Sequence, residues 1–235
     1  MRPIAVFRFS ETEGPAHFAE WLDRAALSWQ LIAIDRGDPV PSDPRAFAGI
    51  GMMGGPMSAN DALAWIEPLS RLLRVAVAEE IPVIGHCLGG QLFAQALGAT
   101  VVRARVPEIG WIDVETTDSN ARNAWFGGRG RFTPFQWHYD VFDLPAGATR
   151  VLTNAFNPNQ AYVIDDRHIG FQCHVEMTAD LVQTWCRTGA EEIASPGAPS
   201  RQPRDEILRD LDDRLDALQA VADTIYARWS EGLRR

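Results

Sequence analysis

The chain has 235 residues, 46% hydrophobic and 23% charged, with a formal net charge of −9. That length and balance suit one sizeable globular core, and the acidic excess disfavours nucleic acid as a partner, because phosphate binding needs clustered cations. No apolar run approaches the roughly 18 residues that span a membrane, and residues 1–14 lack a secretory h-region, so a cytoplasmic protein with no membrane partner is expected.

In chain order, Ile4-Ala5-Val6-Phe7-Arg8-Phe9 is short and apolar, as a buried strand should be. Glu13-Gly14-Pro15 opens a helix through Phe18, Trp21, Leu22 and Ala25, and Leu31-Ile32-Ala33-Ile34 reads as a second strand. A loop rich in Pro, Asp and Gly follows over 35–44. A third strand over 47–53 ends at Gly54-Gly55-Pro56, and a long helix over 62–80 contains Pro68 as a point of kinking. Pro82-Val83-Ile84 is a fourth strand and 88–97 a helix. Such strand–helix alternation predicts an α/β fold, a mostly parallel sheet with helices on both faces. After residue 100 short β-like runs at 109–114, 131–137, 161–164 and 169–173, with a helix at 120–125, predict a partly antiparallel extension. A helix over 178–192 closes a domain spanning 1–192. Residues 193–204 have the Pro, Gly and Ser content of a linker. Over 205–235 a helix carries Leu208, Leu211, Leu215, Leu218, Ala222, Ile225 and Trp229 at alternating spacings of three and four. Docking of this stripe on the chain's own domain is expected, with a homodimer contact as the alternative.

The stretch Val83-Ile84-Gly85-His86-Cys87-Leu88-Gly89-Gly90-Gln91 places one of only three cysteines between a strand and a helix. Three cysteines without a CxxC pair fit a reducing compartment and neither a disulfide framework nor a zinc site, so no metal or other cofactor is expected. All basic residues are arginine, which removes lysine Schiff-base chemistry and the Walker lysine. A tight strand-to-helix turn aims Cys87 at the carboxyl edge of the sheet, where open α/β folds bind ligands. Gly85 and Gly89 are read as positions for backbone angles that a Cβ disfavours. The helix N-terminus beside the sulfur favours a thiolate and supplies N–H groups for an oxyanion, as in a nucleophile elbow. A base and an orienting acid are then needed. Of five histidines, His17 reads as a surface residue, His86 points away from the sulfur, and His168 sits in a hairpin turn. His174 ends a strand, and Glu176 two residues on falls on the same side, so His174 is the strongest base.

The segment Gly85-His86-Cys87-Leu88-Gly89-Gly90-Gln91 resembles the G-x-C-x-G-x-Q nucleophile motif of class I, triad-type glutamine amidotransferases. Phe171-Gln172-Cys173-His174-Val175-Glu176 is similar to that family's Q-F-H-P-E segment, and Gly54-Gly55-Pro56-Met57-Ser58 to its G-G-P-x-S oxyanion strand. The three motifs occur in the family's order, and the resemblance covers about residues 1–190. Glu108-Ile109-Gly110-Trp111 and Phe135-Gln136-Trp137-His138-Tyr139-Asp140 resemble the branch of stand-alone proteins related to the glutaminase domain of GMP synthetase. The resemblance implies a flavodoxin-like sheet, with Cys87 as nucleophile, His174 as base and acid, and Glu176 orienting it. It further implies oxyanion donors at the Gly55 and Leu88 N–H groups and substrate contacts from Gln91, Trp137, His138 and Tyr139. His138 reads as a substrate-loop or packing residue and not a second base. There are departures: Val175 stands for a proline that would stiffen the backbone, Cys173 for an apolar residue, and Pro107 where relatives often carry lysine.

The implied reaction is hydrolysis of glutamine's side-chain amide through a cysteinyl thioester, releasing ammonia. The residues after Ala190 are too few for an ATP site, so an acceptor or a synthetase partner is implied. A γ-glutamyl hydrolase acting on another γ-glutamyl amine or peptide is the alternative from the same chemistry. A redox-sensing or non-enzymatic cysteine protein is the alternative of another class, and it needs no base or acid.

Overall fold

A computed structural model describes residues 2–117, 119–195 and 197–234. Strands β1 (Ile4–Arg8), β2 (Trp29–Ala33), β3 (Ile50–Met52) and β4 (Val83–His86) alternate with helices α1 (Ala16–Arg24), α2 (Ile66–Ala78) and α3 (Leu88–Ala96). The chain continues through β5 (Val101–Trp111), β6 (Val114–Thr116), α4 (Ser119–Phe126), β7 (Arg131–Phe132), β8 (Phe135–Phe142), β9 (Thr149–Thr153), β10 (Ala161–Ile164) and β11 (His168–Phe171). The central sheet has the order β2-β1-β3-β4-β11-β10-β9-β6-β7. Its first five strands are parallel and the rest antiparallel. This is a mixed, mostly parallel sheet flanked by helices, with the antiparallel extension that the texture after residue 100 predicts. Because side chains alternate across a strand, Ile4 and Val6 of β1 join one core, with Phe18, Leu22, Trp185 and the C-terminal helix. Ala5 and Phe7 join the other, with Leu69, Leu72, Leu92 and Phe93.

Strands β5 and β8 form a separate antiparallel ribbon with a register shift between Arg103 and Glu108. The Phe135–His174 bridge, with His174 N–H to Phe135 O at 2.8 Å, ties the ribbon to the segment after β11. That bridge holds the backbone which Val175 leaves without a proline's stiffness.

Local differences from the sequence reading have local causes. Pro68 is the third residue of α2, where no intrahelical donor is required, so it starts the helix instead of kinking it. The helix expected over 178–192 is two: α5 (Ala179–Thr188), capped by Thr178, and α6 (Ala190–Ala194). Gly189 at the break lies against Trp137 so closely that a methyl group would strike the indole. His168 begins β11 and is buried; the turn before it is made by Asp165 and Asp166, at φ of 51° and 49°. His17 is also buried, with Nε2 2.7 Å from Asp223 Oδ1.

Pro196, within the stretch of linker composition, lies outside the described residues. Beyond it the chain pairs with β5: Ile109 N–H donates to Ser200 O and Gln202 N–H to Ile109 O, both at 2.9 Å. Helices α7 (Arg204–Ile207) and α8 (Leu211–Ser230) follow. Leu215, Leu218, Val221, Ala222, Ile225, Tyr226 and Trp229 of α8 are buried in the same core as α1 and α5. The Tyr226 and Trp229 rings lie 4.8 and 5.7 Å from Phe18. The stripe therefore docks on the chain's own domain.

Candidate active site

Strand β4 ends at His86 and α3 begins at Leu88, which leaves Cys87 alone on the turn with φ 48° and ψ −108°. This is a sparsely populated conformation for a residue with a Cβ, and it costs on the order of 1–3 kcal/mol. The unusual backbone angle thus falls on the cysteine and not on Gly85 or Gly89, neither of which has a positive φ. Those glycines do something else. A Cβ on Gly85 would lie 2.6 Å from the Gly89 carbonyl, one on Gly89 2.7 Å from Met52, and one on Gly90 would strike Phe171 O. Their absent side chains let α3 lie against β3, β4 and β11 and hold the turn in its strained form.

The same closeness joins the Gly54-Gly55 segment to the turn. Gly89 N–H donates to Met53 O at 3.1 Å, and a Cβ on Gly55 would lie 2.6 Å from Leu88 Cδ2. The N–H groups of Gly55 and Leu88 have no acceptor among the described residues. Two free donors beside a sulfur suit an incoming oxyanion.

His174 and Glu176 lie behind the turn, both buried. His174 Nδ1 donates to Glu176 Oε1 at 2.6 Å, and His174 Nε2 has no geometrically sound partner. Burial works against a charge on His174, yet the Glu176 carboxylate and the Cys87 sulfur outweigh it and hold the imidazole well above the ordinary histidine range. Glu176 shows the converse. Burial raises it, but His174, and then His86, bring it down to about 2. His86 does point away from the sulfur: Nδ1 donates to Met52 O at 3.1 Å, and Nε2 faces Tyr226 Oη at 3.4 Å and Glu176 Oε2 at 4.0 Å. Burial lowers His86 below its ordinary value, against the opposing pull of the Glu176 carboxylate.

A cavity of about 390 Å³ opens over Cys87, lined among others by Gly55, Gln91, Trp137, His138 and Tyr139. Cys87, Gly55, Gln91, Trp137, His138 and Tyr139 therefore meet on this cavity, while Leu88, His174 and Glu176 are buried and outside its lining. Gln91 spends its amide N–H groups on Asp140 O at 2.9 Å and Gln172 Oε1 at 3.3 Å, which anchors β8 over the turn. Trp137 O is 3.9 Å from Cys87 Sγ. His138 Nε2 lies 3.1 Å from Oε2 of Glu108, a fully buried carboxylate that also accepts from Gln160 at 2.9 Å.

Four lining or supporting residues were not singled out from sequence. Gln172 Nε2 is 3.7 Å from Cys87 Sγ. Trp185 sets its ring edge-on to His174 at 4.8 Å, and Arg103 stacks over Tyr139 at 4.5 Å. Glu13 lines the cavity from the loop after β1. Two of them had a usable signal: Gln172 stands in the motif over 171–176, and Glu13 lies on a loop at the carboxyl end of a parallel strand, where ligand-binding residues are found. Among the described residues no cluster of metal-ligating side chains occurs, and no helix is long and apolar enough to cross a membrane.

The sequence profile described as glutamine amidotransferase class-I matches residues 26–184, and the chain belongs to this family. A solved glutamine amidotransferase from Methylobacillus flagellatus is 45% identical with a TM-score of 0.98, over 100% of this chain and 96% of that one. Another from Thermotoga maritima is 25% identical with a TM-score of 0.86, over 98% and 99% of the two chains. Among curated relatives, the glutamine amidotransferase-like protein YfeJ of Salmonella typhimurium is 27% identical over 77% of this chain and 79% of its own. The glutamine-hydrolyzing GMP synthase of Aeropyrum pernix is 30% identical over 76% of this chain but only 35% of its own length.

Proposed function

We propose that this chain hydrolyses the side-chain amide of glutamine and delivers ammonia to a separate acceptor. Cys87 Sγ attacks the amide carbon, and the oxyanion is received by the N–H groups of Gly55 and Leu88. His174 gives its Nε2 proton to the departing nitrogen, the C–N bond breaks, and a γ-glutamyl thioester remains on Cys87. Water, deprotonated by the same imidazole, attacks the thioester, and glutamate leaves as the thiol is regenerated. Glu176 keeps Nδ1 protonated and the ring aimed throughout, a role of orientation and charge balance. The carrying observation is the convergence around the cysteine turn of Cys87, the buried His174–Glu176 pair, whose imidazole is raised in part by the Cys87 sulfur, and two unused backbone donors. The Aeropyrum pernix relative is named a glutamine-hydrolyzing synthase, and this chain matches about a third of it. By analogy the acceptor is a synthetase acting as a partner.

An electrophilic glutamine analogue tests the assignment. It should label Cys87 alone and leave the buried Cys173 and Cys186 untouched, with labelling abolished in Cys87→Ser. Mass spectrometry that found the analogue on Cys173, or on no cysteine, would overturn the reading. Affinity purification followed by glutaminase assays with and without the captured synthetase would identify the acceptor.

A further inference from the structure

We infer that, beside glutamine, the leaving-group end of the cavity accepts a γ-glutamyl amine whose departing amine carries a second positive charge, with Glu13 as the residue that favours it over an uncharged amine. This rests on the proposed acyl transfer at Cys87 and specifies a further substrate class that the site takes.

Glu13 sits where the loop from β1 turns toward α1, and its side chain reaches the His174 edge of the cavity. A Cβ on Gly54 would strike its Oε2 and would lie 3.0 Å from His174 Cε1, so the carboxylate and the imidazole edge flank the same point. His174 is the group that hands a proton to the departing nitrogen, so Glu13 lies on the departure side. Its carboxylate makes no hydrogen bond or ion pair with the described residues. Asp140 and Arg103 face each other across the cavity wall, and Glu192 has a neutral donor. Asp140 accepts from Ser58 Oγ at 2.7 Å and lies 3.5 Å from Arg103. Glu192 accepts from Trp137 Nε1 at 3.1 Å. Arg103, the one guanidinium on the wall among the described residues, faces Asp140 and the Tyr139 ring. His174 is balanced by Glu176.

The Glu13 carboxylate is thus left without a partner at a cavity whose lining includes the Trp137 and Trp185 indoles, packed edge to face with centroids 6.0 Å apart. Indole faces attract cations, and a partly desolvated carboxylate attracts them more. Ammonia from glutamine would occupy little of this space. An alkyl amine with a distal ammonium would lay its chain on the indoles and set its charge within reach of Glu13. Burial raises Glu13 to about 7, with His174 opposing the rise and Glu176 and Glu192 adding to it. The carboxyl therefore ionises across neutrality, and a bound cation favours its ionised form.

The test compares N-γ-glutamyl-1,4-diaminobutane with N-γ-glutamyl-butylamine, which differ by one distal charge. In the full-length protein kcat/KM for the charged compound should be at least about 10-fold higher, and the ratio should grow from pH 6 to pH 8 as Glu13 ionises. Triad titration affects both substrates and cancels in the ratio. Glu13→Gln should bring the ratio to near one while the melting temperature stays close to wild type. Calorimetric binding of both compounds to Cys87→Ala, and to Cys87→Ala combined with Glu13→Gln, reads the same preference without turnover. Equal affinities in Cys87→Ala, or a preference that survives Glu13→Gln, would overturn the inference. Failure of the analogue to label Cys87 would instead overturn the acyl-transfer reading, and the binding experiment still reports on the subsite. If Glu13→Gln unfolds, Glu13→Asp, with its carboxylate drawn back from the indoles, replaces it and should lower the ratio without abolishing it; an unchanged ratio counts against the inference.

Discussion

The His174–Glu176 pair sets a buried imidazole 2.6 Å from a buried carboxylate. Glu176 falls from an ordinary 4.5 to about 2 and His174 rises well above 6.5, chiefly through each other once the opposing effect of burial is set aside. The depressed Glu176 contributes stability that is present above pH 4.5 and is lost as pH falls toward 2. The raised His174 contributes stability that is complete below pH 6.5 and is lost as pH climbs through its raised value. The melting temperature should therefore decline on both sides of a mildly acidic maximum, and Glu176→Ala should flatten the acid limb. Removing one member of a buried pair should cost about 3 kcal/mol. For catalysis, Glu176→Ala should keep a slow glutaminase, down by about 10²-fold, because the imidazole still carries the proton. His174→Ala should lose about 10⁴-fold or more. Equal and complete loss in the two variants would contradict the division of roles. The pairing of His174 with Glu176 was legible from their two-residue spacing, although the strand expected to run to Cys173 ends at Phe171 and His174 is held beyond it by the bridge to Phe135. The approach of Tyr226 to His86, and of His86 to Glu176, was not legible, because 140 residues separate Tyr226 from His86.

The nucleophile turn is an element whose parts depend on one another. Tyr162 Oη donates to Gly90 O at 2.9 Å, and Gly90 faces the Phe171 backbone with no room for a methyl group. Gly90→Ala should push α3 off β11 and destabilise the fold by about 1–3 kcal/mol, the usual cost of overpacking. Urea unfolding should show a lower midpoint at an unchanged slope; an unchanged midpoint would mean that α3 has slack the structure does not show. Turn and helix could be read from Val83 to Leu97 because the apolar run, the glycines and the helical spacing all agree. The reason for the glycines could not be, since it lies in backbone from β3 and β11 that becomes adjacent only when the sheet assembles.

At the scale of the whole molecule, the last helix completes the core that backs the active site. Trp229 is 1% exposed and covers Gly49, where a Cβ would lie 3.0 Å from Trp229 Cζ2. Asp223 of the same helix accepts from His17, and Gln219 donates to Met177 O at 3.1 Å, one residue beyond Glu176. Trp229→Ala should cost about 3–5 kcal/mol, as for other large buried aromatics. The solution mass should stay the same, because the apolar stripe is consumed within the chain. Unchanged thermal stability, or a changed mass, would show that α8 docks elsewhere.

Local pattern by itself determined the alternation of strands and helices, the cysteine turn and the identity of the residues flanking it. Each of these is written in the spacing of apolar residues, glycines and a handful of polar side chains along a few turns of chain. Only the tertiary structure decided which backbone needs which glycine, where 199–202 runs, and that Glu13 meets His174. Those depend on contacts between segments far apart in sequence, and a one-dimensional pattern carries no distance between them.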